Sequence, residues 1–458
     1  MDPRSELYAL SRNPWTKRFG SSRILFDLLV RAAKEGNCDG VAMLLEAGAD
    51  ANVSPEEPGA PTPLQAAVFS GSEPVLALLI KSGANVNASR EDYCARTALQ
   101  TAVQRGREGM VGLLIKSGAN VNAPPARIDG MTALQVAVES GSENMVALLL
   151  NAKANVNAPP RDRTGGTPLQ AAALSGNEPV VALLIGAGAD VDAPPTRFGG
   201  KTALQAAIES GNESVVALLI NARANINTPA TDHGGRTPLQ AAAQGNQEKV
   251  VALLIDAGAN VNAPPARFQG ITALQAAART GNEKTVALLI KAGASVNAPP
   301  ADYRGTTALQ AAVESGNEKV VTLLIHSNAD INAPPGDYSG MTALQAAANS
   351  GQEKVVTLLI EAGANVNAPP RDHGGRTALQ AAAQSGNENM VALLIDAGAD
   401  IHAPPARFGG VGALRAAVEG GHEQVAMLLL NAGADVGTCV SLGDTQSRNF
   451  LDTEEGEQ

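Results

Sequence analysis

The stretch TPLQAAALSGNEPVVALLIGAGADVDAPPTRFGGK, residues 167 to 201, recurs along the chain in near-identical copies. Its opening threonine returns every 35 residues, and Gly412 takes that place in the last copy. The threonines are Thr62, Thr97, Thr132, Thr167, Thr202, Thr237, Thr272, Thr307, Thr342 and Thr377. A fixed internal period is typical of repeat architectures and overrides the several-domain expectation raised by 458 residues. We therefore expect a stack of repeats.

The start of each copy predicts a helix. Thr167 and Gln170 form a T-x-x-Q capping box, in which the hydroxyl and the side-chain amide satisfy two backbone N–H groups that have no partner within the helix. Pro168 suits the first helical position, which needs no backbone N–H donor. This helix is predicted to end near Ser175-Gly176.

A second helix is predicted to follow at once. Asn177 is its expected N-cap, and an acidic residue in its first turn suits the positive end of the helix dipole. Four apolar residues are predicted to line one buried face: Val180, Val181, Leu184 and Ile185. Gly188 is predicted to end the helix in the left-handed conformation.

Three repeats replace that terminal glycine, by Lys153, Arg223 and Asn328. A side chain in the left-handed conformation should cost up to about 1 kcal/mol, and least for asparagine. The remainder of each copy, with two prolines and two glycines, predicts an extended, hairpin-like connector, which we call the finger. One copy alone buries too little apolar surface to offset its ordering entropy, so neighbouring copies must stack.

The pattern G-x-T-A/P-L-Q-A-A-x-x-S-G-N-E-x-V-V-x-L-L-I-x-A-G-A-N/D-V-N-A resembles the ankyrin repeat over twelve copies, from residue 27 to about 436. This resemblance implies an all-α solenoid of stacked helix-turn-helix units with hairpin-like fingers. Two features depart from the usual ankyrin pattern: the period is 35 rather than 33, and glutamine, for example Gln275, replaces the usual histidine. Both are similar to features of arrays in filamentous-fungal proteins.

Three regions are expected. Residues 1–26 form a basic N-terminal extension, residues 27–436 hold the twelve repeats, and residues 437–458 form an acidic tail predicted to be disordered. The terminal copies are degenerate, since Gly412 and Arg415 replace the capping-box pair in the last one. Atypical ends are expected where one face of a terminal repeat meets water.

Composition disfavours several classes of function. A formal charge of −11 argues against direct binding to nucleic acids, and no apolar run is long enough to cross a membrane. Three scattered cysteines and no signal-peptide pattern indicate a reducing compartment, so we expect a cytoplasmic or nuclear location. We also expect a monomer. The five histidines lie in separate repeats without ligand spacing, and phosphate-loop and nucleophile motifs are absent from the sequence. We expect no enzyme activity, no metal and no cofactor.

The fingers supply the first candidate surface for a partner. Four residues before each threonine stand Tyr93, Ile128, Arg163, Phe198, His233, Phe268, Tyr303, Tyr338, His373 and Phe408. Six of the chain's twelve aromatic residues lie at this position, and aromatic side chains dominate interface energetics. Two interpretations stay open: the rings pack only on neighbouring Pro-Pro units, or they also contact a partner.

A column of charges precedes the rings. Its members are Asp92, Arg127, Asp162, Arg197, Asp232, Arg267, Asp302, Asp337, Asp372 and Arg407. The sign alternates for much of the column, which predicts Arg-to-Asp pairs between neighbouring fingers, each contributing about 0–1 kcal/mol if exposed. The run Asp302, Asp337 and Asp372 breaks the alternation and predicts a local acidic patch. Arg197, Asp232, Arg267 and Asp302 are candidate partner-binding residues.

The second candidate surface lies on the first helix. The position seven residues after the threonine varies widely between copies while its neighbours stay nearly constant, which indicates that it faces outward. Arg279, Glu314 and Asn349 are the candidates chosen there. By the ankyrin resemblance, this position and the finger tips line a concave surface that binds a partner. The alternative is a merely solvated face.

The sequence thus predicts a non-enzymatic scaffold or adaptor that binds a protein partner. An ankyrin-repeat transcription co-regulator, for example of fungal biosynthetic genes, is the alternative. This alternative is suggested by the basic residues before the first repeat. Such a co-regulator would act through protein partners.

Overall fold

The computed structural model describes residues 21–52, 61–88, 96–125, 130–159, 166–195, 200–230, 235–266, 270–300, 305–334, 340–371 and 374–435. Within these ranges the chain forms 24 α-helices and no strand. None of the described helices is both long and apolar enough to cross a lipid bilayer. The predicted all-α solenoid of helix pairs is confirmed.

The chain divides into two compact units, Met1–Asn225 and Ile226–Gln458. The helices of the first unit are α1 Ser21–Lys34, α2 Cys38–Glu46, α3 Pro63–Ser70, α4 Glu73–Lys81, α5 Ala98–Gln104, α6 Glu108–Lys116, α7 Ala133–Ser140, α8 Glu143–Asn151, α9 Pro168–Ser175, α10 Glu178–Gly186, α11 Ala203–Ser210 and α12 Glu213–Asn221. Odd-numbered helices are the first helices of their repeats, and even-numbered helices are the second.

The second unit continues the same alternation. Its helices are α13 Pro238–Gln244, α14 Glu248–Asp256, α15 Ala273–Thr280, α16 Glu283–Lys291, α17 Ala308–Ser315, α18 Glu318–His326, α19 Ala343–Asn349, α20 Glu353–Glu361, α21 Ala378–Ser385, α22 Glu388–Asp396, α23 Ala413–Glu419 and α24 Glu423–Asn431.

The first helices begin as the capping box predicts. In α9 the Gln170 backbone N–H donates to Thr167 Oγ1 at 3.3 Å, and the Thr167 N–H donates to Gln170 Oε1 at 2.9 Å. All ten threonines form this reciprocal pair. Helix α9 ends at Gly176 in the left-handed conformation, with φ of 67°. Local sequence therefore fixes both ends of this helix.

The second helices bury a narrower stripe than expected. Asn177 caps α10 by accepting the Val180 N–H at 3.1 Å, and Val180, Val181 and Leu184 are fully buried. Ile185 is only half-buried, so the prediction for this residue was wrong. At 100° per residue, Ile185 lies about 140° around the helix from Val180, which places it at the edge of the buried stripe.

Stacking of like helices forms the core within each unit. In the first unit α9 packs against α7 and α11, and α10 packs against α8 and α12. Ala172 and Ala173 are fully buried in α9, and such small side chains let neighbouring first helices approach closely. The prediction that successive copies bury each other's apolar faces is confirmed inside both units.

The capping glutamine also holds the following finger. Gln170 Nε2 donates to Ala193 O at 2.9 Å and to Pro194 O at 3.2 Å. The same side chain reaches a carbonyl oxygen 23 or 24 residues further on in seven other repeats, at Gln100, Gln135, Gln240, Gln275, Gln310, Gln345 and Gln380. One carboxamide thus caps the first helix and also holds the Pro-Pro segment of the finger. The glutamine and the longer finger therefore belong to the same hydrogen-bonded unit.

A ladder of asparagines joins successive second-helix ends within each unit. Asn122 Nδ2 donates to Lys153 O at 3.0 Å, and Asn122 Oδ1 accepts the Asn155 N–H at 2.7 Å. Lys153 is the left-handed residue that ends α8, with φ of 65°. The expected left-handed conformation is confirmed for it, and also for Arg223 and Asn328. Each asparagine therefore bonds to the turn that follows the second helix of the next repeat.

The terminal repeats differ from the internal ones. Helix α1 begins at Ser21, so its first residues precede the boundary predicted at residue 26. Gly412 provides no side-chain cap for α23, and Arg415 instead pairs with Glu419 at 2.6 Å. Val418 is 58% exposed, whereas Val313, its equivalent in an internal repeat, is fully buried. The last helix pair thus exposes apolar surface that internal repeats bury.

Candidate functional site

The outward position of the first helix is exposed in all eleven repeats from α3 to α23. Its residues are Phe69, Gln104, Glu139, Leu174, Glu209, Gln244, Arg279, Glu314, Asn349, Gln384 and Glu419. These residues include acidic, basic, amide and apolar types, while the apolar residue directly before them is buried in every one of these repeats except the last, where Val418 is exposed. The exposure agrees with the sequence pattern, and the binding role of these residues stays a prediction.

The helix holds this position rigidly. In α15, Leu274, Gln275 and Ala277 are buried, and Gln275 is tied to the finger through Ala298 O and Pro299 O at 3.2 Å each. Arg279 follows in the last turn, just before the left-handed Gly281 ends the helix. The backbone beneath Arg279 is therefore fixed at both ends, and only the side chain is free to adapt.

Side chains at the outward position interact with the residue that precedes a threonine. Arg279 Nη2 donates to Thr306 Oγ1 of the following repeat at 3.2 Å. Glu209 pairs with Lys201 of its own repeat, and both side chains are about half exposed. The outward position and the residue before the threonine therefore form one surface, and exposed pairs of this kind contribute little to stability.

Two large apolar side chains occupy the outward position in the first unit. Phe69 is 39% exposed and Leu174 is 52% exposed. In the described part of the second unit, this position holds only polar and charged residues. The two units thus present surfaces of different chemistry on their first helices.

Most of the candidate finger residues lie outside the described residues. They are Arg197, Phe198, Asp232, His233, Arg267, Phe268, Asp302, Tyr303, Tyr338 and His373. The Arg-to-Asp pairs between fingers and the acidic patch at Asp302, Asp337 and Asp372 likewise lie outside that part of the chain.

The last finger shows the equivalent ring and charge. Phe408 is 53% exposed, and Arg407 Cζ lies 5.5 Å from the centroid of its ring. The Gly374 N–H donates to Phe408 O at 2.8 Å, which joins two successive fingers through their backbones. In this finger the ring keeps an exposed face and has a cation on its own segment.

A groove separates two successive Pro-Pro segments in the second unit. It has a volume of about 450 Å³ and is lined by residues such as Pro264, Pro265, Leu274, Pro299 and Pro300. The walls are mainly apolar, and the Gln275 side chain donates a hydrogen bond to Pro299 O in one wall. The groove thus lies between the described Pro-Pro parts of two successive fingers.

The described residues contain no cluster of potential metal ligands. Among them, no group of three or more histidine, cysteine, aspartate or glutamate side chains could hold a metal ion. The glutamates that recur at the start of the second helices, such as Glu283 and Glu318, instead pair with lysines of the next repeat, Lys319 at 3.3 Å and Lys354 at 3.5 Å. These carboxylates serve the packing of neighbouring repeats.

Comparison with known proteins agrees with the repeat geometry. A family model described as ankyrin repeats (3 copies) matches residues 29–125, 123–195, 192–265, 264–335, 333–405 and 369–439. Its successive matches run through both units. No curated protein matches the chain.

Proposed function

Because the chain belongs to the ankyrin repeat family, we propose that it is a non-enzymatic scaffold that binds a protein partner through the outward face of its first helices. Ankyrin repeats are generally protein-interaction modules, and stacked repeats present extended surfaces. The proposal places the finger tips beside these helices as a second part of the same surface.

One observation carries the proposal. The position seven residues after the threonine is exposed in every repeat and varies in chemical type, although the buried residues around it hardly change. A scaffold needs this arrangement, because a constant framework fixes the backbone while variable side chains set the specificity. Arg279, Glu314 and Asn349 lie on three successive repeats and supply one cationic, one anionic and one amide group.

The test exchanges charges on this face. The variant Arg279→Glu, Glu314→Arg and Asn349→Arg should lose its protein partners in affinity capture followed by quantitative mass spectrometry. The matched control is Lys291→Glu, His326→Arg and Glu361→Arg, because these residues are exposed at the ends of the second helices in the same three repeats. Partners that both variants retain equally would refute the proposal. Equal circular dichroism spectra show that neither variant unfolds.

A further inference from the structure

A cation and a ring stand together on the first unit. Arg105 Cζ lies 4.8 Å from the centroid of the Phe69 ring, within the range of a cation–π interaction. Phe69 belongs to α3, and Arg105 follows α5 in the next repeat. Arg105 is exposed and the ring is still 39% exposed, so both groups are available to a further molecule.

A second guanidinium group lies over the turn that follows α3. Arg107 follows Arg105 by two residues and lies over Gly71, its Cζ 3.1 Å from the point where a β-carbon would stand. Arg107 provides no side-chain cap for α6, unlike the asparagines that hold this place elsewhere. Its charge is therefore not used by the helix that it precedes.

A third arginine, Arg96, lies at the start of the repeat that follows Phe69. Arg96 is exposed and directly precedes the capping Thr97, and its carbonyl oxygen accepts a hydrogen bond from Gln65 Nε2. The equivalent pair in the second unit, Arg279 and Thr306, is in side-chain contact at 3.2 Å. Phe69 and Arg96 hold the sequence positions of Arg279 and Thr306, so the repeat pattern assigns them to the same surface.

These arginines differ from those cations of the described surface that pair with a carboxylate. Lys201, Lys284, Lys319, Lys354 and Arg415 each pair with a glutamate. Arg96, Arg105 and Arg107 form no ion pair with any residue in the described ranges. Phe69 thus lies near three guanidinium groups that have no carboxylate partner among the described residues, in a chain whose formal charge is −11.

We infer that Phe69, Arg96, Arg105 and Arg107 form a docking surface for a segment of a partner protein rich in aspartate and glutamate, with an apolar side chain that packs on Phe69. This inference rests on the proposed function and adds the chemistry of the partner. Guanidinium groups bind carboxylates bidentately, and arginine and aromatic residues are enriched among interface hot spots. A nucleic acid fits less well, because three cations within an acidic chain offer little counterion release.

Selection from a random peptide display library on the immobilised full-length protein tests this partner chemistry. Peptides enriched in aspartate and glutamate should be recovered. The variant Arg96→Gln, Arg105→Gln and Arg107→Gln should lose that enrichment. The control variant Lys284→Gln, Lys319→Gln and Lys354→Gln removes three positive charges elsewhere and should keep it. Phe69→Ala should weaken a selected peptide about tenfold.

Three results would overturn the inference. Acidic enrichment could be absent, or it could persist in the arginine variant. Alternatively, a single-stranded DNA oligonucleotide could occupy the arginine surface with higher affinity than the selected peptides. If peptides of other composition instead lose binding in the Arg279, Glu314 and Asn349 variant, this inference fails and the proposed function stands.

Discussion

The Asp192 carboxylate accepts the backbone N–H of Asn225 at 2.7 Å, but an ionised carboxylate cannot donate a hydrogen bond to the carbonyl oxygen of Arg223. In the equivalent place Asn122 makes both bonds, to Asn155 N and Lys153 O. One rung of the asparagine ladder is therefore incomplete.

Asp192→Asn should stabilise the first unit by about 1 kcal/mol, because the new amide adds a donor for Arg223 O. The reverse change Asn122→Asp removes that donor at an equivalent site, so it should destabilise by a similar amount. Urea unfolding followed by circular dichroism measures both. An unchanged or lower midpoint for Asp192→Asn would show that the second bond of the ladder has no energetic role.

Thr285 is fully buried in α16, and its hydroxyl has no hydrogen-bond partner among the described residues. Valine holds the equivalent place in the repeats on either side, at Val250 and Val320. Thr285→Val should therefore raise the free energy of unfolding by about 1–3 kcal/mol, since no buried hydroxyl is left unsatisfied. Val320→Thr is the reciprocal control and should lower it. Thermal unfolding of both variants gives the sign of each change in stability. A Thr285→Val variant less stable than the parent protein would contradict the claim that the Thr285 hydroxyl is buried without a hydrogen bond.

The dual role of the capping glutamine is tested by Gln170→Glu. The carboxylate keeps the acceptor for Thr167 N–H and loses the donor to Ala193 O and Pro194 O, in a side chain only 5% exposed. We expect a loss of about 2–4 kcal/mol at neutral pH. Burial beside two carbonyl oxygens should raise the pKa of the introduced carboxyl above its unfolded value of about 4.3. The loss should therefore shrink as the pH falls from neutral towards roughly 4, because the protonated carboxyl regains a donor. A destabilisation independent of pH would mean that the finger is not anchored by this bond.

Lys153 and Arg223 hold left-handed backbone conformations that favour glycine. Lys153→Gly should therefore stabilise the first unit by up to about 1 kcal/mol. Gly188→Lys is the matched change in the opposite direction, since Gly188 ends the next second helix with φ of 86°. Hydrogen exchange of the turn amides measures both effects, and faster exchange in Lys153→Gly than in the parent protein would contradict the prediction.

Local sequence signals predicted where the helices begin. Thr167 and Gln170 lie three residues apart, and Asn177 directly precedes the helix that it caps. The residues that determine a helix start are therefore close together in the sequence. The prediction for Ile185 was wrong because an apolar side chain alone does not show where the buried face of a helix ends. The edge of that stripe depends on the neighbouring helices.

The long-range hydrogen bonds of the asparagine and glutamine side chains were not predicted. Asn122 bonds to residues 31 and 33 positions away, and Gln170 bonds to residues 23 and 24 positions away. The recurrence of these residues is visible in the sequence, but their partners become evident only when repeats stack. The arginines near Phe69 were not predicted for a different reason, because Arg105 and Arg107 depart from the repeat pattern and occur in one repeat only.

Placement of a photo-crosslinking amino acid tests the central claim most directly. It is introduced singly at Arg279, Glu314 or Asn349, and at Lys291, His326 or Glu361 in the second helices of the same repeats, in cells that express the protein. We predict that the first-helix positions form covalent adducts with a common partner protein and that the second-helix positions do not. Adducts that form equally at both sets, or only at the second helices, would contradict the assignment of the first-helix face as the binding surface.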